Sequence, residues 1–450
     1  MTELTFYGGV GEIGGNKILL EDHGTRVFFD FGQSFGFGGD FFTGWLSPRA
    51  INGLGDYFEF GLLPRISGLY SAELLESTDL AYVKPEFDAV FLSHAHFDHI
   101  NHIRFLDPRI PVYLGVGTKL FLQCMEETSG SCGYGEHRYR TFRTGSRIRI
   151  GDVMVEPVHV DHSIPAAYGF LIETSEGAVA YTGDMRVHGP RRDMTEEFAT
   201  KARECEPEAL ICEGTRMVEA ENRKSYSEPE VESLSAEIVS QTDKAVFVTH
   251  YSRDIDRFRS FYNVASKCGR SIVISPKTAY LLDRLVADKR LSFPDPVKDE
   301  NILVYYRRKK SGKFDDRDYY VWEREFMDKM VTHDFVSKNQ RGLIMDLDFY
   351  QFTELIDIRP ERGGHFIHSM SEPFSEEDIE DTVMHNWLDH FGLRFHQLHA
   401  SGHLNADQLA ALIRQVKPKK VFPVHTENPR LFKKISRNVK MVRTGEKCSL

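Results

Sequence analysis

The stretch Ala89-Val90-Phe91-Leu92-Ser93-His94-Ala95-His96-Phe97-Asp98-His99-Ile100 places three histidines and an aspartate within six residues, just after four apolar ones. The apolar run reads as a buried strand, and the polar motif as the loop where that strand ends. In extended backbone, side chains two residues apart face the same side, so His94 and His96 can grip one ion. A turn after them carries Asp98 and His99 toward a second. Imidazole and carboxylate donors at this density suit zinc, with manganese or iron as alternatives.

Two ions need more donors than one loop supplies, and three further candidates close apolar strands. His162 follows 153–159, Asp184 follows 178–182, and His425 ends Val421-Phe422-Pro423-Val424. A lone histidine after a strand is usually an ordinary loop residue. Together, however, these three complete a dinuclear set. His94, His96 and His162 would take one ion, Asp98, His99 and His425 the other, and Asp184 would bridge. Two ions so held lower the pKa of a shared water and clamp both the attacked centre and the nucleophile.

Outward from these motifs, the first half of the chain reads as short strands separated by glycine or charged turns. The clearest helix there is 118–127. After residue 207 apolar strands (209–212, 245–249, 271–275, 302–306, 343–346) alternate with amphipathic helices (230–241, 254–267, 277–288). Pro229 stands just ahead of the first of these helices, which suits a helix start. This alternation predicts a parallel sheet covered on both faces. The chain then returns to strand, helix and strand at 394–399, 405–415 and 420–423. The expected fold class is α/β, with a β-rich domain at 1–213, an inserted α/β domain at 214–385, and the first domain resumed at 386–450.

The 450 residues, 41% hydrophobic and 27% charged, fit a globular protein of two or three packed units. No apolar run approaches the roughly 18 residues of a membrane helix. The opening Met1-Thr2-Glu3-Leu4-Thr5-Phe6 has neither a basic nor an apolar leader region, so a cytoplasmic protein is expected. The cysteines 124, 132, 205, 212, 268 and 448 are scattered without a Cys-x-x-Cys pair, which fits reduced thiols. The net charge of −11 argues against a nucleic-acid binder at first sight. Two basic runs offset it: Arg307-Arg308-Lys309-Lys310 with Lys313, and nine lysines and arginines between Lys417 and Arg443. Each run alone is more simply a solvated face. A local basic groove together with metal ions still lets an acidic protein hold a polyanion.

The seven donors resemble the signature of the metallo-β-lactamase superfamily. The opening Gly8-Gly9-Val10-Gly11-Glu12-Ile13-Gly14-Gly15-Asn16 and Phe28-Phe29-Asp30-Phe31-Gly32 are similar to ribonuclease J, and the inserted unit resembles a β-CASP domain. The resemblance implies an αββα sandwich carrying that insertion. It makes Asp30 a support for the metal histidines rather than a ligand. It also carries three β-CASP motifs onto this chain: Glu213 in Cys212-Glu213-Gly214-Thr215, His403 in His399-Ala400-Ser401-Gly402-His403, and His425. His368-Ser369-Met370-Ser371-Glu372-Pro373 departs from the family's glycine-rich loop and keeps only Ser369, Glu372 and Pro373. Asn101-His102 stands where the family usually has glycines, and His102 is expected at the surface.

What the resemblance implies is a metal-dependent nuclease acting on single-stranded RNA in the cytoplasm, with two zinc ions or manganese, no membrane, and a homodimer as one assembly it admits. Asp98, Asp184, Glu213 and His403 would serve catalysis. His403 would protonate the leaving 3′ oxygen, held as imidazolium by Glu213. His399, Ser401 and Ser369 would bind substrate, with Lys277, Ser252 and Arg257 as weaker phosphate contacts. Exonuclease action from the 5′ end is the first expectation and endonuclease action the second. A DNA nuclease of the Artemis kind and a small-molecule metallo-hydrolase are the rivals. The segment Phe35–Phe42 reads as a core-anchored loop, with a lid or a base-stacking surface as the competing accounts.

Overall fold

The structure is a computed structural model, and it describes all residues except 44, 131–132, 220, 222, 289–290 and 373–377. Cys132 and Pro373 therefore lie outside the described residues. Two sheets pack face to face. One has seven strands, in the order Lys447–Ser449, Thr2–Gly8, Lys17–Asp22, Thr25–Phe29, Ala89–Leu92, Val112–Gly115 and Tyr139–Phe142. The other has six, in the order Lys420–Val424, Ala209–Glu213, Gly177–Tyr181, Ala167–Thr174, Val153–Val160 and Ile148–Ile150. Alternate residues of both sheets interleave between them: Phe6, Phe29 and Phe91 meet Phe170, Ile211 and Phe422. Phe29 and Phe170 lie 5.5 Å apart ring to ring.

Helices cover the outer faces. Arg192–Glu204 and Ala406–Val416 bury Phe198, Leu409 and Ile413 against Val158, Leu171 and Leu210. Val116–Thr128 buries Phe121 and Leu122 in the cluster that includes Phe28, Val90 and Leu92. The result is the αββα sandwich expected from the sequence. The helix Arg192–Glu204 was not anticipated. Its apolar stripe is Met194, Phe198, Ala199 and Ala202 among charged residues, too thin to stand out.

A third sheet has seven strands, all parallel, in the order Met330–Val331, Ile302–Tyr305, Ser271–Ile274, Leu343–Asp346, Val246–Thr249, His365–His368 and Arg394–Gln397. Helices Glu228–Ser240, Ile255–Lys267 and Pro276–Val286 cover one face; Glu354–Ile358 and Ile379–Phe391 cover the other. Arg394–Gln397 pairs with His365–His368, so this sheet reaches past residue 385. Its sequence, Arg-Phe-His-Gln, is that of an edge strand with one apolar residue, and nothing in it names the sheet it joins.

Candidate metal centre and cleft

Four strands of the six-stranded sheet run the same way and end at one edge. His162 follows Val153–Val160, Asp184 follows Gly177–Tyr181, Glu213 ends Ala209–Glu213, and His425 follows Lys420–Val424. The motif after Ala89–Leu92 meets them from the facing sheet. His96 is still extended, and Phe97–Ile100 turns into a short helix that carries Asp98 and His99 inward. The glycine-rich opening segment packs on this turn. Gly15 N donates to the Asp98 carbonyl at 2.9 Å, and a Cβ on Gly14, at φ +77°, would lie 2.6 Å from that of Asp98.

Two groups of donors result, one of His94, His96, His162 and Asp184, the other of Asp98, His99, Asp184 and His425. Within each, the donor atoms lie within 4.8 Å of one another. All but the half-buried His96 are buried. In the first group, His96 Nδ1 is 3.0 Å from both His94 Nε2 and His162 Nε2. In the second, Asp98 Oδ2 is 2.8 Å from His425 Nε2, and Asp184 Oδ2 is 3.1 Å from His99 Nε2. Burial first and neighbouring histidines second hold His94 well below the usual imidazole range, and burial holds His96 at about 3. These rings are in the neutral form that ligates. Burial opposes charge on His99 too, but Asp184, Asp98 and Asp30 outweigh it and raise that ring. Asp184 Oδ1 is buried with no hydrogen-bond partner. Inward-facing imidazole nitrogens and an orphaned carboxylate oxygen are what a site for divalent ions requires.

A second layer orients these donors. The strand Thr25–Phe29 ends just before Asp30, which takes φ +56°. Its carboxylate then accepts from His99 Nδ1 at 2.7 Å, Ser93 N at 2.7 Å, Ser93 Oγ at 2.8 Å and the Tyr181 hydroxyl at 2.6 Å. His162 Nδ1 donates to the Gly402 carbonyl at 2.7 Å. Thr215 was missed from sequence, although it sits in a quoted motif. Its Oγ1 lies 2.8 Å from His425 Nδ1, 3.1 Å from His403 Nδ1 and 3.0 Å from Glu213 Oε2. Glu213 is fully buried, and its Oε2 is 3.4 Å from His403 Nδ1.

The donors open onto a cleft of about 590 Å3 walled by both the sandwich and the third sheet. His399, Ser401, His403 and Ser252 line it. Ser369 does not. It is fully buried, its hydroxyl donating to the Leu398 carbonyl and accepting from Arg257 Nη1. Arg257 is likewise enclosed. It donates to Glu228 at 2.9 Å and to the Ala400 carbonyl at 3.0 Å, so it braces the loop bearing His399 and His403 from behind. Lys277 is exposed outside the cleft. His102 is buried against Phe37 and Phe105 rather than at the surface. Phe35 is 62% exposed, packs edge-on against Phe97 at 4.8 Å and lines the cleft, whereas Phe37 packs inward on Tyr57. Cleft residues not foreseen include Arg216, Arg223, Lys224 and Arg253, cations outside the two basic runs.

Residues 75–230 match the model of the beta-lactamase superfamily domain, and residues 391–434 match that of the Zn-dependent metallo-hydrolase RNA specificity domain. Ribonuclease J of Sinorhizobium meliloti is 26% identical over 77% of this chain and 59% of its own length. Ribonuclease J 2 of Streptococcus pyogenes serotype M3 is 23% identical over 76% and 60%, and ribonuclease J of Helicobacter pylori J99 is 21% identical over 94% and 56%. The chain thus spans about 60% of the length of the curated relatives it matches. A crystal structure of a protein of unknown function from Enterococcus faecalis V583 superposes over all of both chains with a TM-score of 0.78 at 24% identity, which shows the fold. With the donor clusters, the zinc-dependent match marks a metal-binding site. Among the described residues no helix is long and apolar enough to cross a membrane.

Proposed function

We propose that this chain, which belongs to the metallo-β-lactamase superfamily and is ribonuclease J-like, hydrolyses phosphodiester bonds of single-stranded RNA in the cleft. One observation carries this: two donor sets share Asp184 on the cleft floor, and His403 stands above them 4.0 Å from Asp184 Oδ2. His94, His96 and His162 would hold one divalent ion, Asp98, His99 and His425 the other, with Asp184 shared. Zinc is the assigned metal and manganese the alternative. When bound, the pair supplies Lewis acidity at the phosphate and lowers the pKa of the attacking water.

The chain's own residues do the rest. His403 Nδ1 faces Thr215 and Glu213, which leaves Nε2 to give its proton to the departing 3′ oxygen as the P–O bond breaks. Buried Glu213 faces the ring 3.4 Å from Nδ1 and fixes it through Thr215. Asp98 and Asp184 orient the histidines around them. His399 and Ser401 contact the phosphate from the wall, joined by Arg253. Phe35 and Tyr251, exposed on opposite walls, stack the flanking bases. The pairing of Arg394–Gln397 in the third sheet supports a β-CASP insertion at 214–397 rather than 214–385. A cytoplasmic setting belongs to the same proposal.

The test uses purified protein with added zinc or manganese and a 3′-labelled RNA bearing a 5′-monophosphate. A 5′-hydroxyl twin, an internally labelled hairpin and the matching DNA are run beside it. Mononucleotides released from the 5′ end, and lost in His403→Ala and Asp184→Ala, support the exonuclease. Internal cuts alone shift the assignment to an endonuclease. Cutting of DNA alone, or of no nucleic acid by metal-loaded protein, overturns the ribonuclease.

A further inference from the structure

Because the seven strands of the third sheet are parallel, their C-terminal ends share one edge. Tyr251, Ser252 and Arg253 leave Val246–Thr249 at that edge and line the cleft. Gln397 and His399 reach the cleft from Arg394–Gln397 in the same way. On the other side of Val246–Thr249 the edge continues through Leu343–Asp346, Ser271–Ile274 and Ile302–Tyr305. These strands deliver Tyr350, Lys277 and Arg307 in turn. Neighbouring strands lie about 4.8 Å apart, so three spacings carry the edge about 14 Å beyond the cleft wall.

Lys277 and Arg307 are both exposed, and neither side chain makes a hydrogen bond or ion pair among the described residues. Nearby cations differ: Arg308 pairs with Asp357, Lys309 with Glu323 and Arg317 with Asp315. Asp348 lies close enough for both free cations to act on its carboxylate. That carboxylate caps the turn Phe349–Gln351, and Glu380 is held by the Tyr350 hydroxyl, so both acids along this edge have local hydrogen-bond partners while Lys277 and Arg307 do not. Tyr350 is 76% exposed between them and the cleft, its hydroxyl 3.1 Å from Glu380 Oε1. Unpaired cations interleaved with an exposed ring are the pattern by which proteins track a single strand: charge follows the phosphates and rings receive the bases.

We infer that RNA seated in the cleft continues along the C-terminal edge of the third sheet, with Lys277 and Arg307 on its phosphates and Tyr350 on a base. This rests on the ribonuclease proposal and names the path of the strand outside the reacting site. The test compares wild type with Lys277→Gln/Arg307→Gln and with Tyr350→Ala. The substrates are a tetranucleotide that fills only the cleft and a longer RNA with the same terminal sequence. Turnover gives KM and kcat, and fluorescence anisotropy of the longer RNA across salt concentrations gives the binding slope.

The double variant should raise KM for the longer RNA several-fold and leave kcat and the tetranucleotide unchanged. Its log–log salt slope should be shallower by about 1.4, at roughly 0.7 per lost phosphate contact. Tyr350→Ala should weaken the longer RNA by about fivefold or more. An unchanged slope and KM, or equal losses on both substrates, overturns the path. Wild type that binds the longer RNA with the expected slope difference yet cuts neither substrate leaves the path standing and overturns the ribonuclease. Wild type that binds no RNA overturns both.

Discussion

Replacing Asp30 separates what holds the fold from what holds the metal. In the structure its carboxylate accepts from Ser93 N, Ser93 Oγ, Tyr181 Oη and His99 Nδ1, all in the interior. Asp30→Ala strands at least two donors outright. Ser93 N has nowhere else to turn. The Tyr181 hydroxyl already accepts from Asn16 Nδ2, so its own proton loses its acceptor. At about 1–3 kcal/mol per buried unsatisfied group, the loss is about 4 kcal/mol. A domain of this size moves by about 2 °C per kcal/mol, so the metal-free protein should melt about 8 °C lower. Asp30→Asn keeps the volume and the oxygen that accepts from Ser93 N, and should lose about half of that. It nevertheless turns an N–H toward His99 Nδ1, which drives the ring proton to Nε2, the atom aimed at Asp184. The lone pair a metal needs is then gone. Both variants should therefore bind zinc about 10- to 100-fold more weakly in a chelator competition, while Asp30→Ala melts about twice as far below wild type as Asp30→Asn in EDTA. A metal-free Asp30→Ala that melts within a degree of wild type would refute the argument from unsatisfied donors. Unchanged zinc affinity in Asp30→Asn would refute the role given to His99.

Thr215→Val removes the hydroxyl that joins His425, His403 and Glu213. It should lower kcat on RNA about tenfold, the worth of one hydrogen bond to a charged group, with zinc content measured alongside. Phe35→Ala should raise KM for RNA about 5- to 100-fold without moving the melting temperature, because its ring is exposed and covers no core. Burial raises Asp254 to about 6, against the pull of Arg257, with Glu228 adding to the rise. Between its ordinary 3.8 and about 6 the folded protein binds a proton that the unfolded chain has released. Its contribution is therefore complete below pH 3.8 and is lost as pH rises through about 6, amounting to about 3 kcal/mol. Asp254→Asn keeps the cap on Arg257 N, a bond of 3.0 Å, and should flatten that part of the melting-temperature profile and stabilise the protein above pH 7.

The donor motif was legible because its spacing is tied to backbone geometry. His94 and His96 share a face of extended chain, and His162, Asp184 and His425 each close a run of buried apolar residues. Strand ends are where a sheet hands its side chains to a cleft, so pattern and place come together. The βαβ alternation was legible for the same reason, since buried parallel strands such as Val246–Thr249 are uniformly apolar. What escaped had weaker local signals. Arg394–Gln397 carries one apolar residue, and its sheet is decided by a partner remote in sequence. Ser369 was expected at the phosphate from the resemblance of its loop, and Arg257 as a weaker contact. Each instead satisfies carbonyls in the interior, a demand set only by tertiary packing. His102 shows the reverse case, a polar residue buried against Phe37 and Phe105.

The charge balance of the cleft resolves the tension with a net charge of −11. Asp98, Asp184 and Glu213 lie at its base, each within 3.5 Å of a histidine nitrogen. Divalent ions at the two donor sets would more than cancel the first two carboxylates, and His403 faces the third. The outer walls then carry Arg216, Arg223, Lys224 and Arg253. Glu221 neutralises part of this, pairing with Arg216 at 3.0 Å and Arg223 at 2.9 Å. Lys224 also lines the entrance, and Arg253 is anchored by a 3.1 Å bond to the Ala95 carbonyl beside the metal motif. Field lines focus where low-dielectric walls enclose charge, so these cations, set against Glu221 and Glu372 beside them, act on a bound strand more strongly than acids spread over the surface. A polyanion should therefore meet attraction at the cleft and along the edge beside it. RNA binding by this acidic chain should then weaken with salt in proportion to those few contacts rather than to its total charge.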